Sequence, residues 1–267
     1  MSEIEVSSLT AQRLARALPD TPCWVDTRGM LLSGWAEVFA ADARDATFVV
    51  RVLSGALAAV SVVGRPATHA IYQAVDGTTD MTPVIAQLDN AGYVGDALAA
   101  CPASVAGQTW TPEHAIVHRL SDAAVSRLAD GAPIRRLGVE EPLDHLPAGL
   151  RFEIGHARTI VPVAVAVVDG MPVSFCYPCW TTETLWDVSI DTLDGYRRRG
   201  LAARSAQFMI DRMREQGREP VWAAMQSNVA SLQLARRLGF TAVDKIVVFS
   251  RGSWAYFTRG FGDEARE

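Results

Sequence analysis

The stretch TLWDVSIDTLDGYRRRGLA, residues 184–202, decides how this chain folds. Within its first eight residues, Trp186, Val188 and Ile190 alternate with polar residues, which is the period-two pattern of a half-buried strand. Three arginines and Gly200 then precede a segment with the apolar spacing of a helix. The sequence therefore predicts a strand, a short loop, and a helix that begins just after Gly200.

The turn before this helix has the properties of an anion site. The first N–H groups of a helix have no partner within the helix, and they lie at the positive end of its dipole. A glycine at position 200 lets a phosphate approach the backbone, and the arginines at 197–199 add positive charge. Because arginine is unfavourable beside that end of the dipole, a bound pyrophosphate is favoured over a merely solvated charged face.

Two motifs occur here in the order found in a known superfamily. RRRGLA, residues 197–202, is similar to an Arg/Gln-x-x-Gly-x-Gly/Ala signature, and NVASLQLARRLGF, residues 228–240, is similar to a second signature that ends in Leu-Gly-Phe. Both signatures are typical of the GNAT superfamily of N-acetyltransferases, which residues 111–258 therefore resemble. The resemblance implies an α+β fold with a mixed, mostly antiparallel sheet flanked by helices.

The resemblance also implies acetyl-CoA as the acyl donor. Strand backbone would bind its pantetheine arm, and the basic turn would bind its pyrophosphate. The residues so assigned to the cofactor are Val188, Ile190, Thr192, Arg197, Arg198, Arg199, Gly200, Leu201, Ala202 and Asn228. For Asn228 the sequence leaves a second interpretation open, since asparagine is also a good helix N-cap.

Catalysis would require a base for the acceptor amine, and Glu183 and Asp187 are the candidates on or beside the predicted strand. Each could equally be an ordinary exposed carboxylate. Many superfamily members carry a tyrosine seven residues after the motif's asparagine, as an acid for the leaving thiolate. Here that position is Ala235, so Ser231 or Tyr196 would protonate the thiolate, or the thiolate would leave unassisted.

The resemblance thus implies an N-acetyltransferase that moves an acetyl or related acyl group to a primary amine by direct attack in a ternary complex. The alternative is a non-catalytic acyl-CoA-binding or regulatory protein that retains the cofactor cradle. The acceptor would be a small-molecule or peptide amine, held between the N-terminal half and the sheet. Candidate lining residues are Trp180, Trp186 and Phe175.

Composition restricts the remaining function classes. The 267 residues carry a formal net charge of −5, so neither nucleic acid nor an anionic membrane is an expected partner. No apolar run has the length of a membrane span, and the acidic start lacks a signal-peptide pattern, which favours a cytoplasmic protein. The histidines lack metal-ligand spacing, Cys176 and Cys179 are predicted to be free thiols, and no metal is expected.

Pairing of the closing strands across two chains would give a homodimer.

The predicted organisation is an N-terminal α+β domain of residues 1–108, a GNAT-like domain of residues 109–260, and a charged tail of residues 261–267. Apolar runs flanking Ser54-Gly55 and Asp169-Gly170 predict two hairpins, so the first half is interpreted as a degenerate copy of the second. Further predicted elements are a helix over 10–18, a strand over 72–75, helices over 84–88 and 96–100, and strands over 241–250 and 254–258.

Overall fold

The computed structural model of the chain describes residues 8–42, 47–54, 57–101, 109–121 and 131–251. The helices are α1 (Ser8–Ala17), α2 (Val25–Leu32), α3 (Thr68–Val75), α4 (Ala91–Ala99), α5 (Ala148–Ile160), α6 (Leu201–Arg214) and α7 (Val229–Arg237). The strands are β1 (Glu37–Asp42), β2 (Thr47–Val52), β3 (Ala59–Val63), β4 (Val84–Gln87), β5 (Thr111–Leu120), β6 (Ile134–Arg136), β7 (Ala164–Val168), β8 (Met171–Thr181), β9 (Leu185–Thr192), β10 (Glu219–Met225) and β11 (Phe240–Ser250).

The described strands form one sheet in the order β1-β2-β3-β4-β11-β5-β10-β9-β8-β7-β6. Two neighbouring pairs, β3 with β4 and β9 with β10, are parallel, and the others are antiparallel. Counted inward from β1, successive strand pairs are antiparallel, antiparallel and parallel, and the same order is found when counting inward from β7. The strand after α4 lies beside β10, and the strand after α7 lies beside β4, so the final strands of two similar units are exchanged. This arrangement supports the interpretation of the N-terminal part as a degenerate copy.

Helices cover both faces of the sheet. On one face α3 and α4 pack on β2, β3 and β4, while α6 packs on β8, β9 and β10, with Met209 and Trp222 in its core. On the other face α1 and α2 pack on β2 and β8, and α5 packs on β8. Because helices cover both faces, the side chains of the central strands are buried on both faces, and most of these buried side chains are apolar.

The elements around the organising stretch are confirmed. The strand and helix predicted on either side of the arginines are β9 and α6, with Gly200 as the N-cap. The hairpin of β7 and β8 turns at Asp169 and Gly170, whose φ angles of 50° and 82° are those of a type I′ turn.

Two short predictions in the N-terminal part are wrong. Residues 72–75, predicted as a strand, belong to α3, and residues predicted as a helix over 84–88 form β4. The apolar run that begins at Val84 fits a helix or a strand, but it is buried between β3 and β11, where a strand completes the sheet. Gly55 of the first predicted hairpin and the strand predicted over 254–258 lie outside the described residues.

Helix α2 lies very close to β8, because Gly29 has no side chain. A Cβ atom at this position would lie 2.6 Å from the Cβ of Trp180 and 3.2 Å from the backbone nitrogen of Thr181. The neighbouring Arg28 is buried, and its guanidinium donates to the carbonyl oxygens of Ala15 and Leu18 at the end of α1. The position of α2 over the sheet is thus fixed by close packing and by a buried cation.

Replacing Gly29 with alanine should destabilise the fold, because the new methyl group overlaps β8. Overpacking costs about 1–3 kcal/mol, more than the 0.5–1 kcal/mol that alanine contributes within a helix. Gly155→Ala in α5 is the matched control, since its Cβ would meet no atom within 4 Å, and it should stabilise the fold. Urea unfolding measures both free energies, and equal changes in the two variants would contradict the close packing of α2.

Candidate active site

The parallel strands β9 and β10 pair only over their first residues and then separate. Their last aligned pair is Asp187 with Val221, yet β9 continues to Thr192 and β10 continues to Met225. Beyond the pair, β10 stays in register with β5 and β9 stays in register with β8. A gap therefore opens between two rigid strands, and Asp187 lies where it begins.

Beyond Asp187, the edge of β9 that faces this gap is not paired with another described strand. Leu193 donates its N–H to Val173 on the β8 side. Because backbone groups alternate along a strand, Val188, Ile190 and Thr192 present theirs on the opposite side, toward the gap. These are the three strand residues that the sequence assigned to the pantetheine arm.

The basic turn lies at the far end of β9, where α6 begins. Gly200 is the N-cap of α6 with a φ angle of 76°, and Arg198 also has a positive φ angle, of 61°. Such angles are costly for arginine, by about 1–3 kcal/mol, and they occur mainly where the surrounding structure or a function requires them. The turn aims the first backbone N–H groups of α6 outward, as an anion site requires.

The arginines of the turn differ in their contacts. The guanidinium of Arg197 forms an ion pair with Asp194 at 2.9 Å and donates to the carbonyl oxygen of Thr192 at 3.2 Å. That of Arg199 donates to the Gly195 carbonyl oxygen at 3.0 Å and lies over the Tyr196 ring. Arg197 therefore holds the loop to the end of β9, while all three arginines remain exposed around the turn.

Asp187 has the chemistry of a general base. Burial raises the pKa of its carboxyl well above the usual range, and the nearby Asp26 raises this pKa further. Backbone N–H groups of Ala223 and Val188 donate to the carboxylate and partly offset the rise. One oxygen, Oδ1, is buried and accepts no hydrogen bond from the described part of the chain.

Asp26 reaches this position from α2. Burial raises the pKa of its carboxyl to about 6, and its Oδ1 atom is likewise buried without a donor among the described residues. Because the charge of Asp26 disfavours ionisation of Asp187, and burial disfavours ionisation of both, the pair holds fewer than two negative charges near neutral pH. Such a pair can accept a proton from an amine or bind its cationic form.

A second carboxyl pair lies farther along the same face of β9. Burial and the nearby Glu153 of α5 raise the pKa of Asp191 to about 8, and Arg197 lowers it in part. Burial also raises the pKa of Glu153, whose carboxylate accepts a hydrogen bond from the Tyr177 hydroxyl. Asp187 and Asp191 are four residues apart on one strand, so they are separated by about 13 Å.

Glu183, the other proposed base, is held in an ion pair. Both of its carboxylate oxygens accept hydrogen bonds from the buried Arg28 guanidinium, at 2.9 and 2.7 Å. This geometry links α2 to the start of β9. It gives Glu183 a positional role, whereas Asp187 alone of the two candidates lies at the point where β9 and β10 separate.

The second motif forms the start of α7 beside β10. Asn228 caps this helix, since its side-chain oxygen accepts the Ser231 N–H at 3.1 Å, which confirms the capping interpretation. The Ser231 hydroxyl oxygen accepts the indole N–H of Trp222 at 2.9 Å and keeps its own proton for another acceptor. Ala235 is fully buried in the core.

Of the predicted lining residues, Trp180 packs beside α2 on the face that carries Asp187. Phe175 is on the same face but is wholly buried under α5. Trp186 lies on the opposite face, in the core under α6, because its neighbour Asp187 takes the position toward α2. The prediction that Trp186 lines an acceptor pocket is therefore wrong.

The corresponding place in the N-terminal unit is closed. Strand β3 ends at Val63, one residue after its last pair with β4. The buried side chain of Asn90 donates to the carbonyl oxygens of Val62 and Gly64, at 3.0 and 2.8 Å. The Asn90 amide therefore occupies the place in the N-terminal unit that corresponds to the gap between β9 and β10 in the other unit.

The sequence did not single out Asp26, Glu153 or Asp191. Asp191 was detectable, because it shares the period-two face of β9 with Asp187. Asp26 and Glu153 come from helices distant in sequence, and only their packing on β8 and β9 brings them to this face.

Other kinds of site are not evident in the described ranges. Within them, no three His, Cys, Asp or Glu side chains are arranged to hold a metal ion. None of the helices that the structure describes has the length and apolar content to cross a membrane. All four cysteines are free thiols, as predicted for Cys176 and Cys179.

The family model of GNAT acetyltransferases matches residues 164–249, which run from β7 to β11 and include the gap and the basic turn. No curated protein sequence matches the chain. The site therefore lies within the matched segment, apart from the carboxylates that α2 and α5 contribute.

Solved structures with a similar fold span both units. A GCN5-related N-acetyltransferase-like protein from Streptococcus suis 89/1591 is 15% identical, with a TM-score of 0.63 over 91% of this chain and 97% of its own. A GNAT-family protein from Novosphingobium aromaticivorans DSM 12444 is 20% identical, with a TM-score of 0.58 over 88% and 98%. A GCN5-related N-acetyltransferase from Kribbella flavida is 13% identical, with a TM-score of 0.55 over 90% and 96%. The resemblance of the C-terminal half to the GNAT superfamily is thereby confirmed, and the described chain has a GNAT-like fold.

Proposed function

We propose that the protein is an N-acyltransferase that moves an acetyl or related acyl group from acetyl-CoA to a primary amine. The single observation that carries this proposal is the gap between β9 and β10, which has Asp187 at one end and the start of α6 at the other. Both parts of the reaction, cofactor binding and proton removal, are provided for along one strand.

The phosphates of CoA fit the turn at the start of α6. Backbone N–H groups of Gly200, Leu201 and Ala202 would donate to the pyrophosphate, and the exposed arginines at 197–199 would neutralise its charge. The open space around Gly200, where a Cβ would meet no atom within 4 Å, leaves room for phosphate oxygens at the backbone.

The pantetheine arm fits the exposed edge of β9. Its amide groups would pair with the backbone of Val188, Ile190 and Thr192, as an added strand would. Val188 and Thr192 are about 13 Å apart along the strand, which runs from Asp187 toward the loop before the basic turn. The thioester, which supplies the activated acyl group, would then lie beside Asp187.

Asp187 would act on the acceptor amine. An ammonium group that enters between α2 and β9 gives its proton to Asp187, and the freed nitrogen lone pair attacks the thioester carbonyl carbon. The C–N bond forms, the C–S bond breaks, and the thiolate leaves with the bonding electrons. The attacking nitrogen then loses its second proton as the amide forms, and the thiolate gains a proton. Ser231, whose hydroxyl is still available as a donor, is the candidate to relay this proton, in place of the tyrosine absent at Ala235.

A non-catalytic CoA-binding protein is the second candidate, favoured by the alanine at position 235. A protein of this kind would bind CoA with the same affinity but would not turn over acetyl-CoA. Release of free thiol from acetyl-CoA in the presence of primary amines tests the enzyme proposal, since a binding protein releases none.

Gly200→Ala should weaken CoA binding about tenfold. CoA would hold residue 200 at a positive φ angle, whereas the free turn of the variant can relax, so the cost of that angle for alanine, about 1–2 kcal/mol, opposes binding. About 1.4 kcal/mol is a factor of ten in affinity. Gly217→Ala is the matched control, because Gly217 has a φ angle of 75° at the other end of α6 and open space around its Cβ position. Calorimetry should give an unchanged affinity for the control, and equal losses in both variants would contradict the cradle.

Asp187→Asn should lower kcat by about 10²–10⁴-fold while CoA affinity persists, because the amide cannot take the amine proton. In the unaltered enzyme kcat should rise with pH as Asp187 deprotonates, at a pH well above 3.9, the usual pKa of aspartate. The variant should lose this rise. If Glu183→Gln removes both the activity and the rise while Asp187→Asn keeps them, the base is Glu183.

Each chain should bind one molecule of CoA. The Asn90 amide blocks the equivalent place in the N-terminal unit, and β3 has no exposed continuation there. Titration calorimetry gives the stoichiometry, and two equivalent molecules per chain would show that the N-terminal unit also binds the cofactor.

A further inference from the structure

The face of β9 opposite α6 carries more acidic groups than a single amine requires. Asp26 of α2 raises the pKa of Asp187, and Glu153 of α5, which accepts a hydrogen bond from the Tyr177 hydroxyl, raises the pKa of Asp191. Tyr177 and its neighbour Phe175 on β8 are the cross-strand partners of Ser189 and Asp191, so Glu153 lies beside the Asp191 end of β9. Alternation along the strand places Asp187 and Asp191 on one face, the face on which α2 packs on β8 and β9 and α5 packs on β8. The two pairs therefore form one acidic surface, with a separate helix supplying the second member of each.

Among the described residues, the cations beside this surface already have partners. Arg197, which lowers the pKa of Asp191, forms an ion pair with Asp194. The guanidinium of Arg28, two residues from Asp26 in sequence, binds Glu183 and the carbonyl oxygens of Ala15 and Leu18. An organic ammonium group is a suitable counter-charge, because each of its N–H groups can donate to a carboxylate oxygen.

The first carboxyl pair, Asp26 and Asp187, has acceptor oxygens to which no described residue donates. The Oδ1 atoms of Asp26 and Asp187 are fully buried, and neither accepts a hydrogen bond from a described residue. A buried carboxylate oxygen without a donor is unfavourable by itself, and it is stabilised when a ligand donates to it. An ammonium group with three N–H donors suits two such oxygens.

We propose, on the basis of the acyl transfer inferred above, that the acceptor is an aliphatic diamine or polyamine. Its reacting nitrogen lies at Asp26 and Asp187, and its second ammonium group lies at Asp191 and Glu153. The two ammonium groups are on the order of 10 Å apart, because about 13 Å of strand separates the two aspartates. The methylene chain between them passes Ser189 and Cys179, which lie between the pairs.

Binding calorimetry with the CoA-bound full chain tests this proposal without requiring turnover. The probes are α,ω-diamines of four to twelve carbons and the n-alkylamines of equal length. A diamine of intermediate length should bind at least about tenfold more tightly than its matched monoamine, because a second charge-assisted contact forms only when the spacing fits. Equal affinities throughout the series would overturn the proposal.

A variant pair locates the second ammonium group. Asp191→Asn should reduce the diamine-to-monoamine affinity ratio about tenfold, whereas Asp169→Asn, which removes the same charge from an exposed turn, should leave the ratio unchanged. A ratio unaffected by Asp191→Asn would overturn the assignment. Thiol release with the same amines separates this inference from the proposed function: equal turnover of diamines and monoamines rejects the diamine alone, and preferential diamine binding without thiol release rejects acyl transfer alone.

Discussion

The antiparallel pairing of β5 with β11 is the interaction on which the rest of the structure depends. It runs from Thr111 paired with Ser250 to Leu120 paired with Phe240, at the centre of the sheet. Each of these strands also pairs with the far unit, β5 with β10 and β11 with β4. Neither unit therefore completes its own sheet. Because the paired strands are far apart in sequence, bringing them together has a large cost in chain entropy.

This central pairing also determines what β10 can do. Because β10 is held along its length by β5, it cannot follow β9 when β9 stays with β8, and the gap opens beyond Asp187. In the N-terminal unit β3 stops short and Asn90 fills the corresponding space. The same arrangement of strands thus leaves an open strand edge in one unit, the edge proposed to bind CoA, and a closed arrangement in the other.

The N-terminal unit still contributes to the site through α2. Gly29 allows this helix to approach β8 closely, and Arg28 ties it to Glu183 at the start of β9. The result is that Asp26 lies near enough to Asp187, in a buried environment, for its charge to raise the pKa of that carboxyl. The carboxyl pair of the proposed active site is thus shared between the GNAT-like segment and a helix from outside it.

The sequence by itself determined the parts of the site that are local in the chain. Alternation at 186–191, the run of arginines and Gly200 predicted β9, the turn and α6, and the signature motifs predicted the superfamily, because these features depend on neighbouring residues. It failed at β4, where three consecutive apolar residues, 84–86, fit either a strand or a helix, and burial between β3 and β11 decides. Only the tertiary structure placed Trp186 away from the acceptor face, engaged Glu183 with Arg28, and brought Asp26 and Glu153 to β9. Those outcomes depend on which face each helix covers, and that is settled by packing between separate segments, which in the case of α2 and β9 are more than a hundred residues apart.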